Sequence, residues 1–158
     1  AHELAKFQGN KLDLSGPTTI DVNVAQELVK FQGNLLFLNG LTILDRDVAR
    51  ELVQFHGALW LNGLESLDVY TARILVEGAY GLYLDGLTHI DRELARALTV
   101  KARVNLSLLG VDTIDENVAQ ELANFKGNNL ILGLKTMDIK VAKALAPLQS
   151  DLWIWCLS

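Results

Sequence analysis

The segment LFLNGLTILDRDVARELVQFHGA, residues 36–58, carries the pattern that decides the fold, because the rest of the chain repeats it. In its first part Leu36 and Leu38 alternate with Phe37 and Asn39. A period of two residues is typical of a short strand that buries one of its faces. The segment therefore begins with a strand whose leucines point into a core.

The second part of the segment has the period of a helix. Val48, Ala49, Leu52 and Phe55 follow one another at the spacing of a single apolar helix face. Asp45 stands directly before this stretch, where a carboxylate can accept the free backbone N–H groups of the first helical turn. We therefore predict a helix that begins after Asp45 and packs against the strand.

Two glycines mark the turns of the segment. Gly40 follows the strand, where a turn is easily made, and Gly57 follows the helix. We predict that Gly57 ends the helix in a left-handed backbone conformation. One unit is then strand, turn, helix and turn, after which the next unit begins.

The unit recurs along the whole chain at a nearly constant interval. The predicted strands begin at Leu12, Leu36, Leu59, Leu82, Leu106, Leu130 and Leu152, at intervals of 24, 23, 23, 24, 24 and 22 residues. A fixed period of this length indicates a solenoid, in which each unit buries its apolar stripe only against its neighbours.

Parallel strands lie about 4.8 Å apart, whereas a helix is about 10 Å wide, so the helical side of such a stack must fan out. We predict an α/β fold: a right-handed curved solenoid with a parallel sheet on its concave face and helices on its convex face. It forms a single domain, residues 1–158. The parts are a partial unit (1–11), full units 12–35, 36–58, 59–81, 82–105, 106–129 and 130–151, and a terminal strand (152–158).

Four units carry a resemblance to a known family. They read LDLSGPTTID from Leu12, LFLNGLTILD from Leu36, LYLDGLTHID from Leu82 and LSLLGVDTID from Leu106. These sequences resemble the leucine-rich repeat family, and more closely its bacterial members with LxLxGLTxLD followed by AxxLxxxxG. The resemblance covers essentially the whole chain and implies a stacked α/β repeat, but it implies no particular ligand.

The chain departs from that family at one position of the turn. The family places asparagine three residues after the second strand leucine, where a ladder of side chains satisfies the turn. Here the column reads Pro17, Leu41, Leu64, Leu87 and Val111. We therefore predict an apolar turn without the family's ladder at that position.

Two units lack the phenylalanine that ends the apolar helix face elsewhere. The phenylalanines of this column are Phe31, Phe55 and Phe125. The corresponding positions hold Gly78 and Lys101. We predict that Tyr80, and Val100 or Val104, refill the core while Lys101 turns outward. The alternative is a local slip of register.

Composition excludes several classes of function. Half of the 158 residues are hydrophobic. The chain has 14 lysines and arginines and 19 acidic residues, which gives a net charge of −5. Nucleic-acid binding is disfavoured because no cluster of cations is present. Membrane insertion is not expected, since no apolar run approaches about 20 residues.

Cys156 is the single cysteine, which excludes a disulfide framework within the chain. The chain opens on Ala1 without a visible signal segment, and its localisation is left open.

A row of carboxylates recurs once per unit. Its members are Asp21, Asp45, Asp68, Asp91, Asp115 and Asp138. Acidic repeats can bind calcium, but such sites need glycine-rich loops with several oxygen ligands for each ion. Each aspartate here stands alone before a helix, so we predict helix caps rather than a metal site.

No arrangement of residues predicts an enzyme or a cofactor. His2, His56 and His89 lack the spacing of metal ligands, and His56 occupies a column of solvated residues. No glycine-rich phosphate loop and no paired nucleophile and base occur. Cys156 is interpreted as a residue of the terminal strand, because nothing near it in sequence would lower the pKa of its thiol.

The residues between the strand leucines must point away from the helices. One such column contains Asp13, Phe37, Trp60, Tyr83, Ser107, Ile131 and Trp153, and the next contains Ser15, Asn39, Asn62, Asp85, Leu109 and Trp155. An aromatic strip beside amides and carboxylates offers apolar contact together with directed hydrogen bonds. The alternative is that the rings only pack against one another and stabilise the sheet.

We predict a non-catalytic module that binds a protein or peptide on the concave sheet. The predicted contact residues are Phe37, Asn39, Trp60, Asn62, Tyr83 and Asp85. A second hypothesis is a segment of a longer or self-stacking array, since the chain closes on the apolar Leu152, Trp153, Ile154 and Trp155. A third is that the same aromatic strip binds a glycan.

Overall fold

The computed structural model describes residues 8–100 and 104–155. Within them seven strands alternate with six helices. The strands are β1 (Lys11–Asp13), β2 (Leu35–Phe37), β3 (Ala58–Trp60), β4 (Gly81–Tyr83), β5 (Asn105–Leu108), β6 (Asn129–Leu132) and β7 (Asp151–Ile154). The helices are α1 (Val22–Leu28), α2 (Arg46–Leu52), α3 (Val69–Gly78), α4 (Arg92–Thr99), α5 (Glu116–Leu122) and α6 (Ile139–Leu145).

All seven strands of the described part form one parallel sheet in the order of the sequence. Residues one period apart are paired across it, so that Phe37 lies opposite Trp60, and Trp60 opposite Tyr83. The predicted α/β solenoid of stacked strand-helix units is thus confirmed. Each strand begins one residue before the leucine at which we placed its start. The predicted helix half-unit in residues 1–7 and the end of the terminal strand, residues 156–158, lie outside the described residues.

The core runs along the solenoid between the sheet and the helices. The strand leucines of the inner units, such as Leu59 and Leu61, are completely buried, as is Leu52 on the facing side of α2. The apolar turn is also observed in four units, where Leu41, Leu64, Leu87 and Val111 are buried, whereas Pro17 in the first full unit is exposed. Stacking thus removes from water the apolar residues that no single unit could cover.

The aspartates at the helix starts act as predicted. Each of the six N-caps accepts a hydrogen bond at its side chain from a backbone N–H of the first helical turn. Asp91, for example, accepts from Leu94 N at 2.7 Å. These bonds satisfy donors that have no partner inside the helix.

The predicted left-handed helix stop at Gly57 is wrong. Helix α2 ends at Leu52, and its C-cap Val53 keeps right-handed backbone angles. The following residues close the end with tighter bonds, among them Phe55 N to Leu52 O at 3.0 Å. Gly57 is required for another reason: a Cβ there would lie 2.5 Å from Asn34 O and 2.6 Å from the Phe55 ring. The glycine makes room for the neighbouring coil and for the core phenylalanine.

The predicted refilling of the core is wrong for Tyr80, but of the two valines predicted for the next unit Val104 does enter the core. Tyr80 and Val100 are exposed, by 65% and 49%, whereas Val104 is buried. Lys101 lies outside the described residues. No register slip occurs in the described sheet, since Gly81 pairs with Ala58 and with Asn105.

A longer helix takes the place of the missing ring. Helix α3 has 10 residues where α2 has 7, and it continues through Gly78. A Cβ at Gly78 would lie 2.2 Å from Val53 O, so the backbone of α3 packs directly against the preceding unit. Ala79 follows and is buried. The space that Phe55 fills in the previous unit is therefore occupied by the helix itself.

Candidate functional site

Three aromatic rings stack on the concave face of the sheet. The centroids of Phe37 and Trp60 lie 4.3 Å apart with 16° between the ring planes, and those of Trp60 and Tyr83 lie 4.0 Å apart with 5° between the planes. We call these three residues the ring stack. The parallel register produces it, because one strand spacing of about 4.8 Å is close to the separation of two stacked rings.

A cation closes one end of the ring stack. Lys11 Nζ lies 4.2 Å from the centroid of Phe37 and 3.4 Å from a carboxylate oxygen of Asp13. Sequence reasoning did not find Lys11. It could have been recognised because it lies two residues before Asp13, and residues two apart in a strand point to the same face.

The rings of the stack present their edges to solvent. Phe37, Trp60 and Tyr83 are each half-buried. One face of Phe37 lies under Lys11 and the other against Trp60, and Trp60 is covered on both faces. The expected broad apolar surface is therefore a row of ring edges, with one open ring face on Tyr83 at the end of the row.

Tyr83 stands in a partly desolvated position. Burial raises the pKa of its hydroxyl above the ordinary value, and the neighbouring negative charge of Asp85 acts in the same direction. Gly81 lies beneath the ring, where an added Cβ would be 3.3 Å from Tyr83 Cε2. The small residue thus lets the ring lie close to the sheet.

The second outward column forms a hydrogen-bonded ladder. Ser15 Oγ accepts from Asn39 N at 3.3 Å, Asn39 Oδ1 accepts from Asn62 N at 3.2 Å, and Asn62 Oδ1 accepts from Asp85 N at 3.0 Å. Asp85 Oδ1 continues the series by accepting from Leu109 N at 3.0 Å. A polar ladder therefore exists one residue after the second strand leucine, not at the position where the resemblance implied it.

The ladder changes what the amide column can offer a ligand. The side-chain oxygens of Asn39 and Asn62 are used within the protein, and Asp85 Oδ1 also accepts from the Ser107 hydroxyl at 2.5 Å. These residues couple each coil to the next. The structure brings all six predicted contact residues onto one face. The three polar ones, Asn39, Asn62 and Asp85, also accept hydrogen bonds that join neighbouring coils.

A cleft opens where the ring stack ends. It has a volume of about 340 Å³ and is lined by Tyr83, Asn105, Asn129, Ile131, Trp153 and Trp155. Trp153 and Trp155 are 54% and 55% exposed, whereas Ser107 in the intervening strand is buried. The two asparagines are joined by a bond from Asn129 Nδ2 to Asn105 Oδ1 of 2.9 Å. They were not among the predicted contacts.

A second apolar cleft lies at the β7 end of the solenoid. It has a volume of about 300 Å³, and its lining residues include Met137, Leu145, Leu148, Leu152 and Ile154. Leu152 and Ile154 are only half-buried, in contrast to the completely buried leucines of the inner strands. This end of the described core is thus open to solvent.

The two histidines that the structure describes belong to no group of metal ligands. His56 and His89 are exposed, and within residues 8–100 and 104–155 no three histidines, cysteines or acidic residues are grouped so as to hold a metal ion. His89 borders a surface cleft of about 360 Å³ with the capping residues Asp91 and Asp115. Cys156 and His2 lie outside the described residues.

None of the helices in the part of the chain that the structure describes has the length and apolar character needed to cross a membrane. Comparison of the chain with protein families, with characterised proteins and with solved structures found no match.

Proposed function

We propose that the chain is a non-catalytic recognition module that binds a protein or peptide on its concave sheet. The observation that carries this proposal is the continuity of the surface: the ring stack leads directly into the cleft bordered by the exposed Trp153 and Trp155. Half-exposed aromatic side chains are enriched at the centres of protein interfaces, where they lose little entropy on binding. A groove of this shape suits an extended polypeptide that crosses several strands.

The proposal favours a polypeptide over a glycan. Sugar rings pack on the open faces of aromatic side chains, but Phe37 and Trp60 have both faces covered by neighbours. Ring edges together with the amide groups of Asn105 and Asn129 suit the mixed surface of a peptide better. Binding of oligosaccharides that quenches tryptophan fluorescence and depends on Trp60 would reverse this preference.

The test is selection of partners from a displayed library of short random peptides. A Trp60→Ser/Tyr83→Ser variant should lose capture of the selected peptides, because it removes the centre of the ring stack. The matched control is Asp47→Ser/Arg50→Ser, which removes an exposed ion pair on the helical face, where the side chains are 65% and 63% exposed. Circular dichroism establishes that each variant is folded. Peptides retained equally by both variants would reject the concave face as the binding site.

A second function is supported by the open β7 end of the core. Half-buried Leu152 and Ile154 beside a 300 Å³ apolar cleft fit the stacking of a further unit, from a longer chain or from a second copy. Sedimentation velocity over a range of concentrations tests the second copy. Ile154→Lys should abolish any concentration-dependent association, while peptide capture on the concave face continues. Strictly monomeric wild-type protein would exclude self-stacking.

A further inference from the structure

Three positions of the hydrogen-bonded ladder favour a chemical rearrangement of the backbone. Asn39, Asn62 and Asp85 are each followed directly by glycine, and no other asparagine or aspartate of the chain is. Because glycine has no Cβ, nothing hinders its backbone nitrogen from approaching the side-chain carbonyl carbon of the preceding residue. The peptide bonds of this chain that are most open to such an attack therefore all lie in one column of the concave face.

The reaction of an asparagine has two steps. The glycine nitrogen loses its proton and forms a bond to Cγ of the asparagine, while the bond from Cγ to the side-chain nitrogen breaks and ammonia leaves. Water then opens the resulting five-membered succinimide at one of its two carbonyl carbons. Opening at Cγ gives aspartate, and opening at the main-chain carbonyl gives isoaspartate, whose backbone runs through the former side chain and is one carbon longer.

The fold holds the two asparagine side chains in bonds to the next coil. Asn39 Oδ1 accepts from Asn62 N at 3.2 Å, and Asn62 Oδ1 accepts from Asp85 N at 3.0 Å. Both side chains are half-buried. Closing the five-membered ring changes the torsion angles of the side chain and of the following peptide group, so it moves the oxygen away from its donor. The reaction therefore breaks a bond between two coils.

The glycines are confined from the opposite side by the preceding coil. A Cβ at Gly40 would lie 2.3 Å from Ser15 O, and a Cβ at Gly63 would lie 2.2 Å from Asn39 O. The backbone of each glycine thus packs directly against a carbonyl group. The peptide group between asparagine and glycine is held by the coil before it and by the coil after it. Rotating this group requires the coils to separate.

We propose that Asn39 and Asn62 are sites of deamidation and that the stacking of the coils gates the reaction. It proceeds while neighbouring coils are transiently apart and stops while they are stacked, so its rate reports the opening between units. This inference is independent of the proposed binding function, because it needs only the ladder and the turn glycines.

The two products differ in their effect on the stack. Asp85 already stands in the same column, and its Oδ1 accepts from Leu109 N at 3.0 Å, so an aspartate product can keep the ladder. Isoaspartate lengthens the backbone at the turn where the glycine already touches the preceding coil. The folded protein should therefore accept aspartate at these two positions and reject isoaspartate.

The test compares deamidation in the folded and the unfolded protein. Samples are kept in mildly alkaline buffer with and without guanidinium chloride, and peptide mapping by mass spectrometry measures the conversion of each asparagine over time. Asn39 and Asn62 should convert at least about ten-fold more slowly in the folded protein. Equal rates in the folded and the unfolded protein would overturn the proposal.

Two controls belong to this comparison. A synthetic peptide of residues 60–70 contains Asn62 and Gly63 without a neighbouring coil, and it corrects for the direct effect of guanidinium chloride on the reaction. Asn105 and Asn129 are each followed by leucine, and they should convert slowly in both samples because a side chain hinders the attacking nitrogen.

Variants connect the rate to the stacking. Phe55 is 1% exposed, so Phe55→Leu loosens the packing of the unit that contains Asn39 and should raise the rate at Asn39 and Asn62 several-fold in the folded protein. Tyr80→Ala is the matched control, because this ring is 65% exposed and its loss should leave both rates unchanged. Circular dichroism establishes that each variant is folded. An unchanged rate in the folded Phe55→Leu variant would overturn the gating.

Refolding tests the two products. Protein aged in guanidinium chloride is returned to native buffer, and size-exclusion chromatography isolates the folded fraction. Peptide mapping should find aspartate at the positions of Asn39 and Asn62 in this fraction, with isoaspartate depleted relative to the unfractionated sample. Equal isoaspartate in both samples would show that the turns have room for a longer backbone, which overturns the confinement on which the gating rests.

Discussion

Asn62 Oδ1 accepts a hydrogen bond from the backbone N–H of Asp85, 3.0 Å away in the next coil. This bond and its equivalents join successive units just beyond the carboxyl ends of the strands. Replacing Asn62 by alanine leaves the Asp85 N–H without its acceptor and should lower the free energy of unfolding by about 1 kcal/mol. Urea denaturation followed by circular dichroism measures this change.

The control for that prediction is Asn62→Asp, which keeps a side-chain oxygen at the same place, as Asp85 does for Leu109. It should unfold closer to the wild type than the alanine variant does. An alanine variant as stable as the wild type would mean that the ladder contributes nothing to stability.

The turn glycines can be tested by two substitutions in one column. A Cβ at Gly63 would lie 2.2 Å from Asn39 O and 2.6 Å from Leu41 O, both backbone atoms of the preceding coil. Gly63→Ala should therefore destabilise the fold by about 1 to 3 kcal/mol through overpacking. Gly16 occupies the corresponding turn of the first full unit, but no atom lies within 4 Å of an added Cβ there. Gly16→Ala should leave stability unchanged or raise it by up to about 1 kcal/mol.

Thermal unfolding of both variants gives the comparison. Equal losses at Gly63 and Gly16 would show that backbone freedom, rather than the close approach of two coils, is what the column requires.

The aromatic residues at the helix ends should differ sharply in importance. Phe55 is 1% exposed, so Phe55→Ala should cost about 3 to 5 kcal/mol from lost burial and a cavity. Tyr80 is 65% exposed, and Tyr80→Ala should change the free energy of unfolding by less than about 0.5 kcal/mol. Urea denaturation of the two variants measures both values. A large loss for Tyr80→Ala would restore the core role that the sequence suggested for it.

Acidification should weaken the start of helix α3. The Thr71 hydroxyl, which donates to Asp68 at 2.5 Å, is the main reason that the pKa of this carboxyl lies below its ordinary value of 3.8. A carboxyl with a depressed pKa in the folded state contributes stability above the unfolded pKa, and this stability is lost as the pH falls through the folded pKa. The contribution of Asp68 should therefore be complete near neutral pH and should be lost as the pH falls below 3.8 and through the lowered pKa of this carboxyl.

Asp68→Asn separates this contribution from the other carboxylates, because asparagine can still cap the helix. The free energy of unfolding of the wild type should exceed that of the variant by up to about 1 kcal/mol near neutral pH, and the two values should converge in acid. Thr71→Val, which removes the main hydrogen bond to the carboxylate, should reduce the pH dependence in the same way. A difference between wild type and Asp68→Asn that stays constant with pH would contradict the assignment.

Most of the repeat could be predicted because each signal was local or strictly periodic. The alternation around Leu36 and Leu38 and the apolar helix face ending at Leu52 need only neighbouring residues to be recognised. Asp45 could be identified as a cap from its place before the helix. The fixed interval then placed Phe37, Trp60 and Tyr83 beside one another, as the register confirms.

The sequence-based predictions missed features that depend on contacts with the adjacent coil. Gly57 was interpreted through its own backbone, whereas the closeness of Asn34 O explains it. Tyr80 was assigned to the core because a ring was missing there, but α3 lengthened and filled the space with backbone. The bonds that Asn39 and Asn62 accept from the next coil were not predicted, since hydrogen bonds between coils leave no mark in the pattern of one unit.

The sequence by itself determined the unit, its period and the side of the sheet on which each strand residue lies, because these follow from the backbone geometry of single strands and helices. Only the tertiary structure decided how the rings face one another, which amide oxygens are already bonded, and that a cleft lies between Tyr83 and Trp153. The reason is that these properties depend on distances between coils, which arise only when the units stack.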